Sequence, residues 1–163
     1  MKFENDQTVI KIQMQKRIIA VLSAVLVALL FFTNFDKFLV DFTGLPRFVF
    51  VILFLSFFVL FYIYHLVAAS AYIYFTDEES KIVLRFYQLN LFSSGKMSYE
   101  IPKRDFTGYK IETKYRKVRE NLILFRVYQG SVVRYPAIPI TALTKSERSK
   151  LLSNLNQHIP KAS

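Results

Sequence analysis

Phe48–Thr76, FVFVILFLSFFVLFYIYHLVAASAYIYFT, is a run of 29 residues without a charge, and the way it divides decides the fold. A helix crosses a ~30 Å hydrocarbon core with about 20 apolar residues, so this run is longer than one crossing. From Phe48 to about Tyr64 every residue except Ser56 is large and apolar or aromatic, whereas from Leu66 the residues become small and then alternate as Ala71, Tyr72, Ile73, Tyr74, Phe75. That change of period predicts a helix over residues 48–69 and a strand from about Ala71. Gly44-Leu45-Pro46 stands just before the run, where proline suits a first helical turn.

Working toward the N-terminus, residues 18–35 (IIAVLSAVLVALLFFTNF) form a second uncharged stretch, 18 residues long. It is expected to be a first transmembrane helix. Lys11, Lys16 and Arg17 precede it as in a signal peptide, but no small-x-small cleavage pattern follows, and Phe31, Phe32, Asn34 and Phe35 occupy that place, so the segment is expected to be retained. Residues 36–47 between the spans suffice for a tight hairpin, which makes the two helices antiparallel neighbours. Ala20, Ala24 and Ala28 fall on one face of the first and would let another helix approach; an alanine row facing lipid is the plainer reading.

Charge gives the expected orientation. Residues 1–17 carry Lys2, Lys11, Lys16 and Arg17 against Glu4 and Asp6, while the connecting loop balances Lys37 and Arg47 against Asp36 and Asp41. Positive charge thus favours both termini in the cytoplasm, residues 36–47 outside it, and a multi-pass protein of the inner (cytoplasmic) membrane. Tyr62, Tyr64, Tyr72 and Tyr74, at the end of the second span, read as interfacial aromatics.

The whole chain of 163 residues carries 22 Lys/Arg against 12 Asp/Glu, a formal +10, and is nevertheless 53% hydrophobic. Charged and apolar residues are therefore segregated along it, and the length leaves room for one ordinary domain beside the spans. With no cysteine, disulfides, thiolate chemistry and Cys-ligated metal are excluded, and two histidines, His65 and His158, leave little for any other metal site.

Residues 71–163 are poor in glycine and rich in β-branched and aromatic residues, with turn signals about every ten positions. Six antiparallel strands are expected, at residues 71–76, 81–88, 96–101, 106–113, 119–128 and 131–138. Asp77-Glu78-Glu79-Ser80 and Gln129-Gly130 are expected as hairpin turns, and Pro136 and Pro139 at a sheet edge or strand end. Thr144-x-x-Glu147 is a capping box that opens a helix with Leu151, Leu152, Leu155 and Ile159 on one face. At the other end, residues 8–15 alternate, with Ile10, Ile12 and Met14 on one side and Val9, Lys11 and Gln13 on the other. This predicts a strand that joins the later sheet and makes the membrane hairpin an insertion into one β domain; an amphipathic juxtamembrane helix is its rival.

The tract Tyr72 to Gln88, the segment Tyr99-Glu100-Ile101-Pro102 before Phe106-Thr107-Gly108-Tyr109, and the helix Thr144 to Ile159, set directly after a two-helix hairpin, resemble the bacterial pleckstrin-homology-like (PH-like) membrane proteins. The resemblance is one of element order over more than half of the chain. It implies a membrane α-helical hairpin plus an α+β or all-β soluble domain, a PH-like sandwich or barrel of six to seven antiparallel strands closed by a C-terminal helix. It also implies a non-catalytic membrane-tethered module, and it transfers no site residues.

No catalytic constellation stands in the sequence. His65 lies at the end of the second span without a nearby acid and reads as an interfacial polar residue or interhelix hydrogen-bond partner; His158 reads as a solvated helix end, and Asp77-Glu78-Glu79 as a turn without calcium-loop spacing. Gly-rich phosphate loops, Gly-x-Ser-x-Gly and paired helical histidines are missing. The surface that rises above background is basic: Lys103, Arg104, Lys110, Lys114, Arg116, Lys117 and Arg119 place seven positive charges in 17 residues, with only Asp105 and Glu112 among them. The plain reading is a solvated loop. The functional reading is contact with anionic lipid headgroups or an acidic partner, at about 1 kcal/mol for each Lys or Arg near the surface. Nucleic acid is not expected because no aromatic stacking pattern accompanies the charges. The sequence thus leads to a non-enzymatic, cofactor-free, membrane-anchored binding or assembly module, with membrane lipids and a membrane-protein partner or second copy as its expected contacts. The alternative is a small accessory subunit of a larger inner-membrane complex.

Overall fold

In the computed structural model, residues 2–89 and 95–160 are described. In order they form β1 (Lys2–Glu4), α1 (Asp6–Phe32), α2 (Phe35–Thr43), α3 (Arg47–Ala68), β2 (Ala71–Asp77), β3 (Lys81–Gln88), β4 (Lys96–Pro102), a 3-10 turn (Lys103–Asp105), β5 (Phe106–Lys114), β6 (Arg119–Tyr128), β7 (Ser131–Arg134), β8 (Ile138–Pro139) and α4 (Lys145–Gln157). The chain divides into two compact units, one of residues 2–10 and 66–160, the other Lys11–His65.

The first unit holds two antiparallel four-stranded sheets. One has the order β1-β2-β3-β4; in the other, β5-β6-β7 is joined by β8, which pairs with β6. Alternation sends Ala71, Ile73 and Phe75 of β2 and Ile82, Leu84 and Phe86 of β3 inward, where they meet Phe106, Leu122, Leu124 and Ile138 of the second sheet in one core. Leu151 and Leu155 of α4 complete that core. The helix is set by its capping box: Thr144 Oγ1 accepts from the Glu147 backbone N–H at 3.2 Å, and Glu147 Oε2 accepts from the Thr144 N–H at 2.7 Å. The β6–β7 turn holds Gln129 and Gly130 at φ 50° and 78°, the two left-handed residues of a tight hairpin. Tyr135, Pro136 and Ala137 interrupt the last expected strand, leaving β7 and β8 on the same side of β6. A proline cannot donate to the ladder, so what the sequence suggests as one strand is two, and the described residues hold eight strands instead of six to seven.

The N-terminal segment departs from expectation in an instructive way. Residues 8–15 are helical, not a strand, as part of α1. Their burial follows the helical period: Val9 is buried and Ile12, Gln13 and Lys16 partly so, whereas Ile10 and Met14 are exposed. The strand that joins the later sheet lies further upstream. Lys2, Phe3 and Glu4 pair with Thr76, Phe75 and Tyr74. The residues 11–65 are therefore an insertion between two paired strands of one β domain, as the alternation argument anticipated with the wrong residues.

Asn5 makes the transition. Its backbone N–H bonds Ile73 O at 3.3 Å and its carbonyl accepts from Val9 N–H at 3.0 Å, which starts α1. Its fully buried side chain carries on the ladder, with Nδ2 donating to Ala71 O at 3.1 Å and Oδ1 accepting from Ile73 N–H at 2.8 Å. One turn later Thr8 Oγ1 donates to Glu147 Oε1 of α4 at 2.9 Å.

In the second unit, α1 and α3 are long and apolar enough to cross a membrane, by length and composition. The helix α1 ends at Phe32 instead of residue 35, and residues 36–47, read from sequence as a plain hairpin loop, contain most of α2. Thr33 and Asn34 break the helix: Thr33 Oγ1 donates back to Leu29 O at 2.6 Å and accepts from the Phe35 N–H at 3.2 Å, which starts a new helix.

Candidate functional site

The β5–β6 hairpin carries the basic tip. In it Lys114 pairs with Arg119 in register, and Tyr115, Arg116, Lys117 and Val118 form the turn. Tyr115, Arg116 and Lys117 have φ of 52°, 52° and 73°, three left-handed residues in succession, none of them glycine. Each such residue costs about 1 kcal/mol relative to glycine, so the turn holds two charges and an aromatic ring where glycines would be more stable. Lys114, Arg116 and Lys117 are exposed, and Tyr115 is 62% exposed. Lys110, Lys114 and Arg119 share one face of the second sheet, because register and alternation put them there together. Arg119 is partly engaged, its Nε donating to Asn121 Oδ1 at 3.0 Å.

Lys103 and Arg104 do not belong to this group. They lie in the 3-10 turn before β5, about 25 Å along the strand from the tip. Arg104 is exposed and 3.4 Å from Asp105, and Lys103 is taken up by Asp77. The seven residues that run together in sequence thus separate into a tip and a turn at the opposite end of β5.

The turn at that opposite end builds a polar cluster that sequence reasoning did not assemble. Asp77 Oδ1 lies 2.6 Å from Lys103 Nζ, and Asp77 Oδ2 lies 3.0 Å from His158 Nε2. All three side chains are largely buried. His158 is therefore not a solvated helix end: as the C-cap of α4 it ties that helix to the end of β2. The three residues stand far apart in sequence: the pairing of β2, β3 and β4 brings Asp77 to Lys103, and the packing of α4 on the core brings His158. Burial pushes the Asp77 carboxyl up, but the hydrogen bonds to Lys103 and His158 outweigh it and hold the group below the usual carboxylate range. A depressed carboxylate contributes stability above its unfolded value and loses it as pH falls through the folded one. The β domain is accordingly expected to lose stability below about pH 4. Asp77→Asn should flatten this acid limb of a thermal-unfolding profile and cost about 2 kcal/mol near neutral pH by stranding its two partners.

A second aromatic and basic surface lies on the outer side of the first sheet. Tyr72 and Tyr87, paired in register, stack at 4.9 Å, and Tyr74 has Lys2 Nζ 5.2 Å and the Arg85 guanidinium 6.0 Å from its ring centre. Tyr72, Tyr74, Arg85 and Tyr87 line a groove of about 310 Å³ with Lys96, Met97 and Ser98. The Tyr72 hydroxyl donates to Glu4 Oε2 at 3.1 Å; burial and that bond push its pKa up to about 12. Tyr72 and Tyr74 lie in β2, the strand expected from about Ala71. Their alternation with Ile73 and Phe75 is the signal that marks this face.

His65, in the last turn of α3, packs edge-on against Phe61 at 4.6 Å and Tyr64 at 5.4 Å. Among the described residues no group of three or more His, Asp or Glu side chains is arranged to hold a metal ion. Compared with protein-family models, with curated proteins and with solved structures, the chain gives no match to any of them.

Proposed function

We propose that this chain is a two-span protein of the cytoplasmic membrane, with both termini cytoplasmic, whose PH-like β domain is a non-catalytic binding or assembly module. Anionic lipid headgroups are its ligand, and the β5–β6 tip is its contact. Two observations support the architecture. The pairing of β1 with β2 requires the start of α1 and the end of α3 to lie on one side of any membrane they cross. Two sheets with one core closed by a C-terminal helix fit the PH-like element order.

The observation that carries the function is the tip itself. A hairpin that only had to turn would place glycine or asparagine at left-handed positions. This one holds Tyr115, Arg116 and Lys117 there, flanked by Lys114 and Arg119, a basic rim around an exposed aromatic ring. That combination suits the headgroup layer, where charge is attracted and an aromatic ring is half immersed. The tether raises the effective concentration, so weak attraction is enough.

The test uses the full chain, which lacks cysteine and so accepts one label without competition. Tyr115→Cys carrying a polarity-sensitive dye should shift to a less polar emission in nanodiscs containing anionic lipid, but not in zwitterionic ones. The shift should vanish at high salt or when Lys114, Arg116 and Lys117 are changed to Glu. An identical spectrum in both lipids would refute the reading.

One feature favours the accessory-subunit alternative. Ala20, Ser23, Ala24, Val27 and Ala28 of α1, with Leu55 and Phe58 of α3, line an apolar groove of about 780 Å³ into which a helix of a larger complex would fit. A stoichiometric partner retained in mild detergent from native membranes would support it.

A further inference from the structure

The helix α2 has nine residues, and none of them is buried. Phe35, Phe38 and Phe42 stack along one side, with ring centres 6.3 and 6.4 Å apart. At 100° per residue Leu39 falls on the same side, while Lys37 and Asp41 fall opposite. Phe38 is 64% and Phe42 81% exposed, a ridge of aromatic surface with nothing over it among the described residues.

The ends of α2 are fastened. Thr33 and Asn34 alone separate it from α1, and Gly44, Leu45 and Pro46 alone separate it from α3. Gly44, at φ 74°, ends it in the left-handed conformation with its N–H on Val40 O at 2.7 Å. Asp36 lies 3.7 Å from Arg47, whose guanidinium sits 4.2 Å over the Phe31 ring. This helix cannot move more than a few residues' reach from the ends of the two apolar helices.

Their lengths differ in a way that leaves a place for it. From Phe48 to Ala68, α3 offers about 31 Å of uncharged helix, one hydrocarbon thickness. From Ile18 to Phe32, α1 offers about 22 Å before its break. The shortfall of about 9 Å is close to the ~10 Å width of a helix lying on its side.

Resting on the membrane reading above, we infer that α2 lies flat at the boundary between headgroups and acyl chains of the extracytoplasmic leaflet. Phe35, Phe38, Leu39 and Phe42 are immersed in the acyl chains, and Lys37 and Asp41 are turned to water. The occupant of the aromatic ridge is thus lipid from the same bilayer that α1 and α3 cross. Binding of such a helix grows with its buried apolar area, which the phenylalanine ridge supplies. It completes the crossing that α1 leaves short.

The chain contains no tryptophan, so a single introduced one is its only indole reporter. Full-length Phe38→Trp, Lys37→Trp and Val25→Trp are reconstituted separately into vesicles with lipids brominated at shallow or deep acyl positions. Phe38→Trp should emit at short wavelength, be quenched more by shallow than by deep bromines, and be about fivefold less sensitive to external iodide than Lys37→Trp. Equal iodide sensitivity at 37 and 38 would overturn the inference by placing α2 in water. Stronger quenching of 38 by deep bromines would overturn it in favour of a re-entrant segment. Protection of 38 from both quenchers would do so in favour of a second copy over the ridge. Val25→Trp, in the middle of the uncharged part of α1, checks the underlying reading: if bromolipids leave it unquenched, the membrane assignment itself fails.

Discussion

Asn5→Ala will lower the stability of the β domain by about 3 kcal/mol, far more than an exposed N-terminal residue would be worth. The substitution removes two hydrogen bonds at once and leaves the Ala71 carbonyl and the Ile73 N–H without their partner in a dry part of the sheet. Asn5→Asp should be nearly as harmful. Its carboxylate still accepts from Ile73, but it sets an acceptor against the Ala71 carbonyl and places charge at a fully buried position. The measurement is the denaturant midpoint of the full chain in detergent, followed by the far-ultraviolet signal of the sheets. A loss below about 1 kcal/mol would mean that water replaces the amide and that Asn5 is only a spacer.

Phe75→Ala should cost about 4 kcal/mol, since the ring is fully buried between β1 and β3 in the shared core. Its register partner is Phe3, on a strand of three residues. Phe3→Ala should cost less, about 2 kcal/mol, because that residue sits at the sheet edge and the site can collapse. The double variant should fall short of the sum by about 1 kcal/mol, the mark of two side chains that pack on each other. Full additivity would show that β1 does not contribute its phenylalanine to the core. The same pairing means that a fragment of residues 71–163 lacks an edge strand, so experiments on this domain call for the whole chain.

The strands β2 to β6 were readable because their alternation runs for seven or more residues between turn signals, as in Lys81–Gln88 and Arg119–Tyr128. The capping box at Thr144 was readable because it is a local device whose partners lie three residues apart. The strand β1 was not, since Lys-Phe-Glu is too short to show a period and its partner lies about 70 positions away. Residues 8–15 misled because apolar residues at 9, 10, 12 and 14 satisfy alternation on one reading and a helical stripe on another, and continuation of the hydrogen-bond ladder into α1 decides between them. The helix α2 was hidden by the charges at Asp36, Lys37 and Asp41, which read as loop until the phenylalanines between them are placed on one face. The basic residues were legible as a run but not as a site, because β5 carries two of them away from the other five.

The pairing of Lys2–Glu4 with Ala71–Asp77 also bears on how the protein is made. During synthesis β1 leaves the ribosome well before its partner, which follows only after both apolar helices. If those helices cross a membrane as proposed, the short N-terminal segment must in the interval be kept on the side where β2 will emerge. A nascent chain that sends its N-terminus across the bilayer, or inserts one helix and leaves the other outside, separates the two strands by a membrane. Its β2 then presents an open edge with Ile73 and Phe75 uncovered, the kind of surface that proteases and chaperones act on. If α1 and α3 cross a membrane as proposed, closure of the sheet selects for correct insertion, because only molecules with an even number of crossings bring β1 to β2.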